Sequence, residues 1–260
     1  MRIRLALALV FIAGSVTAGA AADPPYIGKW KMNPAKSNFG ETTATYEQLA
    51  SGEMQSTIEG QTYKFRLDGK DYPAPYDMAA AWTAVSPTSW KTVWKLKGTA
   101  MWTETLTLSA DGKSLTVTVK GTKPNGEPLD STLVSERISG GPGLAGKWKT
   151  KNLNTGSPSV LELAASGTDG LTLRIVDMGL ACNGKVDGKD YPCTGPTISE
   201  GWTVALTSAG PRSLAMVVKN KGKLISKVQY TVSEDGKTLT EDGTTTATGE
   251  KVTVVYDREK

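Results

Sequence analysis

Gly28-Lys29-Trp30-Lys31 returns as Gly146-Lys147-Trp148-Lys149. Asp68-Gly69-Lys70-Asp71-Tyr72-Pro73 returns as Asp187-Gly188-Lys189-Asp190-Tyr191-Pro192. Ser109-Ala110-Asp111-Gly112-Lys113 returns as Ser233-Glu234-Asp235-Gly236-Lys237. The three offsets are 118, 119 and 124 residues. Markers kept in order at nearly constant spacing identify a duplicated unit. The period is too long for a solenoid repeat or a propeller blade and matches a whole small domain. The 260 residues therefore divide into a leader (1–22), a first domain (23–139), a linker (140–143) and a second domain (144–260).

The units read as strands. Trp90, Thr92, Trp94 and Leu96 share one face, and Lys91, Lys95 and Lys97 the other. Leu115, Val117 and Val119 alternate with polar residues, as do Leu171, Leu173 and Ile175, and Val228, Tyr230 and Val232. A two-residue period is that of antiparallel strands with one buried face. Asp-Gly and Asn-Gly pairs punctuate these runs and supply the positive φ angles of tight hairpins. Each half reads as a meander of roughly eight strands. Closure into a barrel is expected, because it removes unpaired edges. The fold class is all-β: two tandem antiparallel up-and-down barrels. Residues 33–43 and 151–158, rich in small and polar residues, read as loops near a barrel mouth.

Composition narrows the function. Arg2 and Arg4 precede an apolar run, Leu5 to Ala13, and a small-residue cleavage pattern ends at Ala22, as in a secretory signal. The expected location is periplasmic or secreted, with no transmembrane segment. Residues 23–143 carry 13 basic and 13 acidic side chains, and residues 144–260 carry 15 and 13. Neither half is basic enough for a nucleic-acid surface. Lys219, Lys221, Lys223 and Lys227 cluster around Gly222 and read as a solvated hairpin tip.

An oxidising compartment allows the two cysteines to pair. With Asp187-Gly188 at the centre of a hairpin, Cys182 falls directly opposite Cys193, within the span of a disulfide. Strict counting places them at a hydrogen-bonded position. The equivalent positions in the first half are Tyr63 and Ala74, so the bridge is peculiar to the second.

Gly-x-Trp at the head of a β-meander resembles the opening of the lipocalin and fatty-acid-binding superfamily, the calycins. That resemblance implies a Trp at the closed end of each barrel with an Arg from the last strand across it. The candidates are Trp30 with Arg137 and Trp148 with Arg258, spanning 107 and 110 residues. Their role would be structural, through a cation–π contact. The three-motif set is similar to a family of exported bacterial proteins with one or two lipocalin-like domains and no established activity.

Catalytic signals are scarce. The chain contains no histidine, the commonest general base and transition-metal ligand. Two cysteines alone cannot make a tetrahedral zinc site, and no nucleophile elbow, phosphate loop or dinucleotide fingerprint occurs. The expectation is no enzyme, no cofactor and no metal. Asp68, Asp71, Asp187 and Asp190 read as turn and flank residues. The first half concentrates large rings: Trp82, Trp90, Trp94, Trp102, Tyr63 and Phe65. They either fill a core or line a ligand cavity, and a ligand site is expected in this half. Two functions compete: a binding protein for a small apolar or amphipathic ligand, and an envelope protein-interaction module of protease-inhibitor type. An aromatic cavity favours the first, and a filled barrel with a large exposed apolar patch favours the second.

Overall fold

The computed structural model describes residues 23–156, 158–246 and 249–259; the expected leader lies outside them. Strand β1 (Gly28–Met32) is followed by a run of ten: β2 (Thr43–Gln48), β3 (Met54–Ile58), β4 (Gln61–Phe65), β5 (Asp68–Ala74), β6 (Met78–Ser86), β7 (Ser89–Leu96), β8 (Thr99–Leu108), β9 (Ser114–Thr122), β10 (Pro128–Ser139) and β11 (Gly146–Thr155). Nine more follow: β12 (Val160–Ser166), β13 (Gly170–Ile175), β14 (Leu180–Lys185), β15 (Asp190–Thr194), β16 (Trp202–Gly210), β17 (Ser213–Asn220), β18 (Lys223–Val232), β19 (Thr238–Thr245) and β20 (Lys251–Arg258). The described helical segments are three-residue 3₁₀ turns.

The strands form two ten-stranded antiparallel sheets, barrel one and barrel two, where eight strands per half were expected. The surplus lies in segments whose alternation is weak. In β2 only Tyr46 is buried, and β5 is a mostly exposed strand that contains Pro73 and opens on the Asp68-Gly69 read as turn. Residues 151–155, expected in a loop, complete β11.

The two halves exchange their first strands. Barrel one consists of β2 through β11, and barrel two of β1 with β12 through β20. Strand β1 pairs with β20 and β12, while β11 pairs with β10 and β2. Barrel one is thus a contiguous insertion into barrel two. The expected boundary between residues 139 and 144 falls inside barrel one. The chain crosses between the barrels twice, through residues 33–42 and again between β11 and β12, and Met32 N–H donates to Ser159 O at 2.9 Å where the β1–β12 ladder ends. Loop closure accounts for the exchange. Six residues separate β10 from β11, whereas about a hundred separate β10 from β1. Four doublings of loop length cost about 2.4 kcal/mol, which favours the local partner for the free edge of β10. The repeated Gly-Lys-Trp-Lys makes β1 and β11 interchangeable at that edge.

The Arg–Trp contact of each barrel follows the exchange. The Arg137 guanidinium carbon lies 4.0 Å from the ring centre of Trp148, and that of Arg258 lies 3.9 Å from Trp30. The expected pairs, Arg137 with Trp30 and Arg258 with Trp148, are corrected: each Arg covers the Trp of the other half. Both Trp rings are fully buried. Arg137 Nε donates to Gly112 O at 2.6 Å and Arg258 Nε to Gly236 O at 2.7 Å, which joins two of the three repeated motifs in one structure. The remaining guanidinium donors meet loop carbonyls, those of Gly141, Gly143 and Ala145 for Arg137 and those of Pro25 and Ile27 for Arg258. Gly28 and Gly146 have φ of +145° and +151°, and a Cβ on either would fall within 2.8 Å of the guanidinium. That close approach explains the Gly of Gly-x-Trp.

The other motif is local turn chemistry. Asp68 accepts from the Lys70 N–H and the Tyr72 hydroxyl, and Asp187 accepts from Lys189 and Tyr191 in the same way. Asp71 pairs with Lys95, and Asp190 with Lys219.

Strands β14 and β15 carry the disulfide between Cys182 and Cys193, which are ladder partners. Their Cα atoms are 4.2 Å apart, the narrow spacing of a non-hydrogen-bonded pair, which corrects the expected position. The loop of residues 186–189 is wider than a two-residue turn, yet keeps the same centre. In barrel one the equivalent strands, β4 and β5, are not ladder partners, and the sheet is open there. The bridge closes in barrel two the seam that barrel one leaves unpaired.

The barrels also meet away from the crossovers. Lys123 Nζ lies 2.5 Å from Asp177 Oδ2, with side chains 1% and 4% exposed. Asp177 also accepts from Ser159 Oγ and the Val160 N–H, which pins the second crossover. Burial pushes this carboxyl up, but the Lys123 hydrogen bond, the Val160 N–H and the Lys123 charge reverse the balance and hold it below its ordinary range.

Two outcomes check this architecture. Double-mutant cycles measured by denaturant unfolding should give coupling of about 0.5–2 kcal/mol for Arg258 with Trp30 and for Arg137 with Trp148. Coupling of Arg137 with Trp30 instead would place each strand in its own half. Replacing Cys182 and Cys193 together by Ala should lower stability by roughly 3 kcal/mol or less, because the closed loop is short; unchanged stability would remove the staple's role.

Candidate functional site

Among the described residues, each barrel lines a half-open cavity with inward-facing side chains. Barrel two is lined inward by the alternate residues of its strands. Leu173, Ile175, Val204, Met216 and Val218 form an apolar wall, and Trp202, Tyr230 and Tyr256 add rings. The cavity holds about 340 Å³, at the small end of the range for ligand sites, roughly 300–1,000 Å³. The Cys182–Cys193 bridge forms part of its wall. Glu241 also lines it. In Leu239-Thr240-Glu241 this acid occupies the inward phase of β19, directly opposite Tyr230 on β18. The Tyr256 hydroxyl donates to Glu241 Oε2 at 2.7 Å. Burial pushes the Glu241 carboxyl above its ordinary range, and the Tyr256 and Tyr230 hydroxyls restrain it only in part. Both phenols are held well above their ordinary range, chiefly by burial. Among the described residues, no Lys or Arg lines this cavity.

Barrel one has a smaller cavity of about 250 Å³, with Ile58, Tyr63, Met78, Trp94 and Trp102 in its wall. The six predicted aromatics divide between two roles. Tyr63, Trp94 and Trp102 line the cavity, with Trp94 and Trp102 stacked at 5.8 Å. Trp82, Trp90 and Phe65 belong to the filled core, which Tyr63 also joins and against which Trp94 packs. Trp82 stacks on Phe65 at 4.4 Å and donates its indole N–H to the Tyr63 hydroxyl at 3.0 Å. An acid lies behind these rings too. Glu104 on β8 accepts from the Trp102 indole N–H at 3.0 Å. The Trp94 indole N–H faces the same carboxylate without reaching bonding geometry and has no partner. Thr92, the cross-strand neighbour of Glu104, has a buried hydroxyl that is likewise unpartnered. Burial raises the Glu104 carboxyl, and the Trp102 indole N–H pulls it back in part.

Both acids escaped the sequence reading. The signal was a charge in the apolar phase of a strand: Trp102-Thr103-Glu104-Thr105-Leu106 and Leu239-Thr240-Glu241. The two positions are not equivalent in the repeat, since Glu104 sits on β8 and Glu241 on β19, the counterpart of β9. Search for shared motifs therefore passes over them. The second half's cavity was also missed, because fewer rings mark it.

The cavities approach one another across the interface. Tyr76, which lines the first, lies 5.1 Å from Trp202, which lines the second. Tyr76 and Asp77 have φ of +62° and +59°, left-handed values that cost a residue with a Cβ roughly 1–2 kcal/mol each. Asp77 is held by Lys221 of barrel two at 2.7 Å. Strain of this kind persists where surrounding contacts hold it, often at functional sites. The hairpin lysines thus do more than solvate a tip, since Lys221 ties the two barrels together.

The acids predict an unusual pH dependence. A carboxyl raised by burial favours the protonated folded state, so its contribution falls as pH rises from the ordinary Glu value through the raised one. In the unliganded protein, Glu241→Gln should match the parent at acid pH and become the more stable as pH rises, read from thermal unfolding. An equal pH slope for both proteins would show that Glu241 is not desolvated. Compared with protein-family models, curated proteins and solved structures, the chain matches none.

Proposed function

We propose that this protein is an exported, lipocalin-like binding protein that holds a small apolar or amphipathic molecule within a barrel and carries out no reaction of its own. The observation that carries this reading is the barrel-two cavity: an apolar wall, three rings and a single acid converging on about 340 Å³. Pockets of this composition are the usual form of small-molecule sites. The disulfide fits an oxidising compartment. No helix among the described residues is long and apolar enough to cross a membrane. The interaction-module reading has less support. Among the described residues the exposed large apolar side chains are three, Val85, Ile138 and Val176, few for an apolar docking surface.

Calorimetric titration with a panel of neutral apolar compounds should give saturable binding. Met216→Trp, which fills the cavity, should abolish it while the protein still melts cooperatively. A panel with no saturable signal would turn the assignment toward the interaction module.

A further inference from the structure

The barrel-two cavity has a chemical polarity that narrows its ligand. Its wall is apolar and aromatic, and its ionisable acid is Glu241. No Lys or Arg among the described residues balances that acid within the cavity. Its polar neighbours are hydroxyls: Tyr256 at 2.7 Å, and Tyr230 across the ladder. A hydroxyl solvates a carboxylate but cannot neutralise it. A carboxylate partly withdrawn from water with no cation beside it is costly, so the site gains most from a ligand that brings the opposite charge. An anionic head group, such as that of a fatty acid, would meet like charge and is disfavoured. A neutral ligand would leave the carboxyl as it is. A protonated amine would meet the carboxylate with a charge-assisted hydrogen bond. Trp202, Tyr230 and Tyr256 add aromatic lining, a surface that attracts cations. The apolar wall of Leu173, Ile175, Val204 and Val218 suits the hydrocarbon part of the same molecule.

We infer that barrel two binds a small amphipathic cation, a protonated primary amine with an apolar or aromatic body, and that Glu241 receives its ammonium group. This rests on the binding reading above and fixes the charge of the ligand.

Three probes of one skeleton test it: 4-phenylbutylamine, 4-phenylbutan-1-ol and 4-phenylbutyrate, each titrated calorimetrically into the full oxidised chain at neutral pH. The expected order is amine at least about tenfold tighter than alcohol, with the carboxylate weakest. In Glu241→Gln the amine should fall to the affinity of the alcohol, while the alcohol is retained. Alcohol and amine binding equally, or the carboxylate binding best, would overturn the inference and leave the binding reading standing. An amine preference that survives unchanged in Glu241→Gln would overturn the role of Glu241. None of the three binding would overturn the inference, and the neutral panel then decides the binding reading separately. Should Glu241→Gln fail to fold, the order of the three probes on the unaltered chain decides the charge preference alone. Tyr256→Phe, which removes the hydroxyl bonded to Glu241 but not its charge, should then keep the amine preference.

Discussion

The stacking of one half's arginine on the other half's tryptophan is the contact on which the architecture turns. It covers a buried indole in each barrel, whose N–H goes to the Tyr26 or Leu144 carbonyl, and makes neither half complete without the other. The cation–π term is modest, on the order of 0.5–2 kcal/mol. Its structural weight comes from what accompanies it. The guanidinium gathers the Asp-Gly hairpin and the loop that leads into Gly-x-Trp. Gly28 and Gly146 lack a side chain because the guanidinium occupies that space. Two separately repeated motifs are thus one device, and duplication let the device form between halves as readily as within them.

The exchange bears on the cavities. Each barrel is bound to its neighbour by two chain crossings and the buried Lys123–Asp177 pair. The mouth residues Tyr76 and Trp202 therefore meet in a defined way, with Lys221 and Asp77 beside them. Independent barrels on a flexible linker would not hold two left-handed residues in place there. The closed seam at Cys182–Cys193 and the open one between β4 and β5 distinguish the two interiors further. The halves share a frame and differ in what they enclose.

The buried acids set stability against binding. An interior carboxyl in an apolar barrel weakens the unliganded protein at neutral pH, and an aliphatic residue would pack there at no electrostatic cost. Each barrel nevertheless has one, on different strands, each answered by hydroxyl or indole donors and not by a cation. Groups that break the local rule in this manner are expected at functional sites.

The sequence by itself determined the duplication, the all-β class, the turn role of the repeated aspartates and the pairing of Cys182 with Cys193. Each rests on short-range regularity: a two-residue period, an Asp-Gly hairpin, a count of residues around a turn. The plug residues were legible as types but not as partners, because identical Gly-Lys-Trp-Lys strands fit either barrel. Only the tertiary structure decided between them, through the six-residue connection that gives β11 to β10. Which aromatics reach a cavity, as Tyr63, Trp94 and Trp102 do, and which only fill the core, as Trp82, Trp90 and Phe65 do, depends on packing across strands distant in sequence. Alternation cannot distinguish a filled interior from a hollow one, since both need apolar residues facing inward. Glu104 and Glu241 broke that alternation in plain view, but their surroundings come from neighbouring strands, and only the folded sheets supplied them.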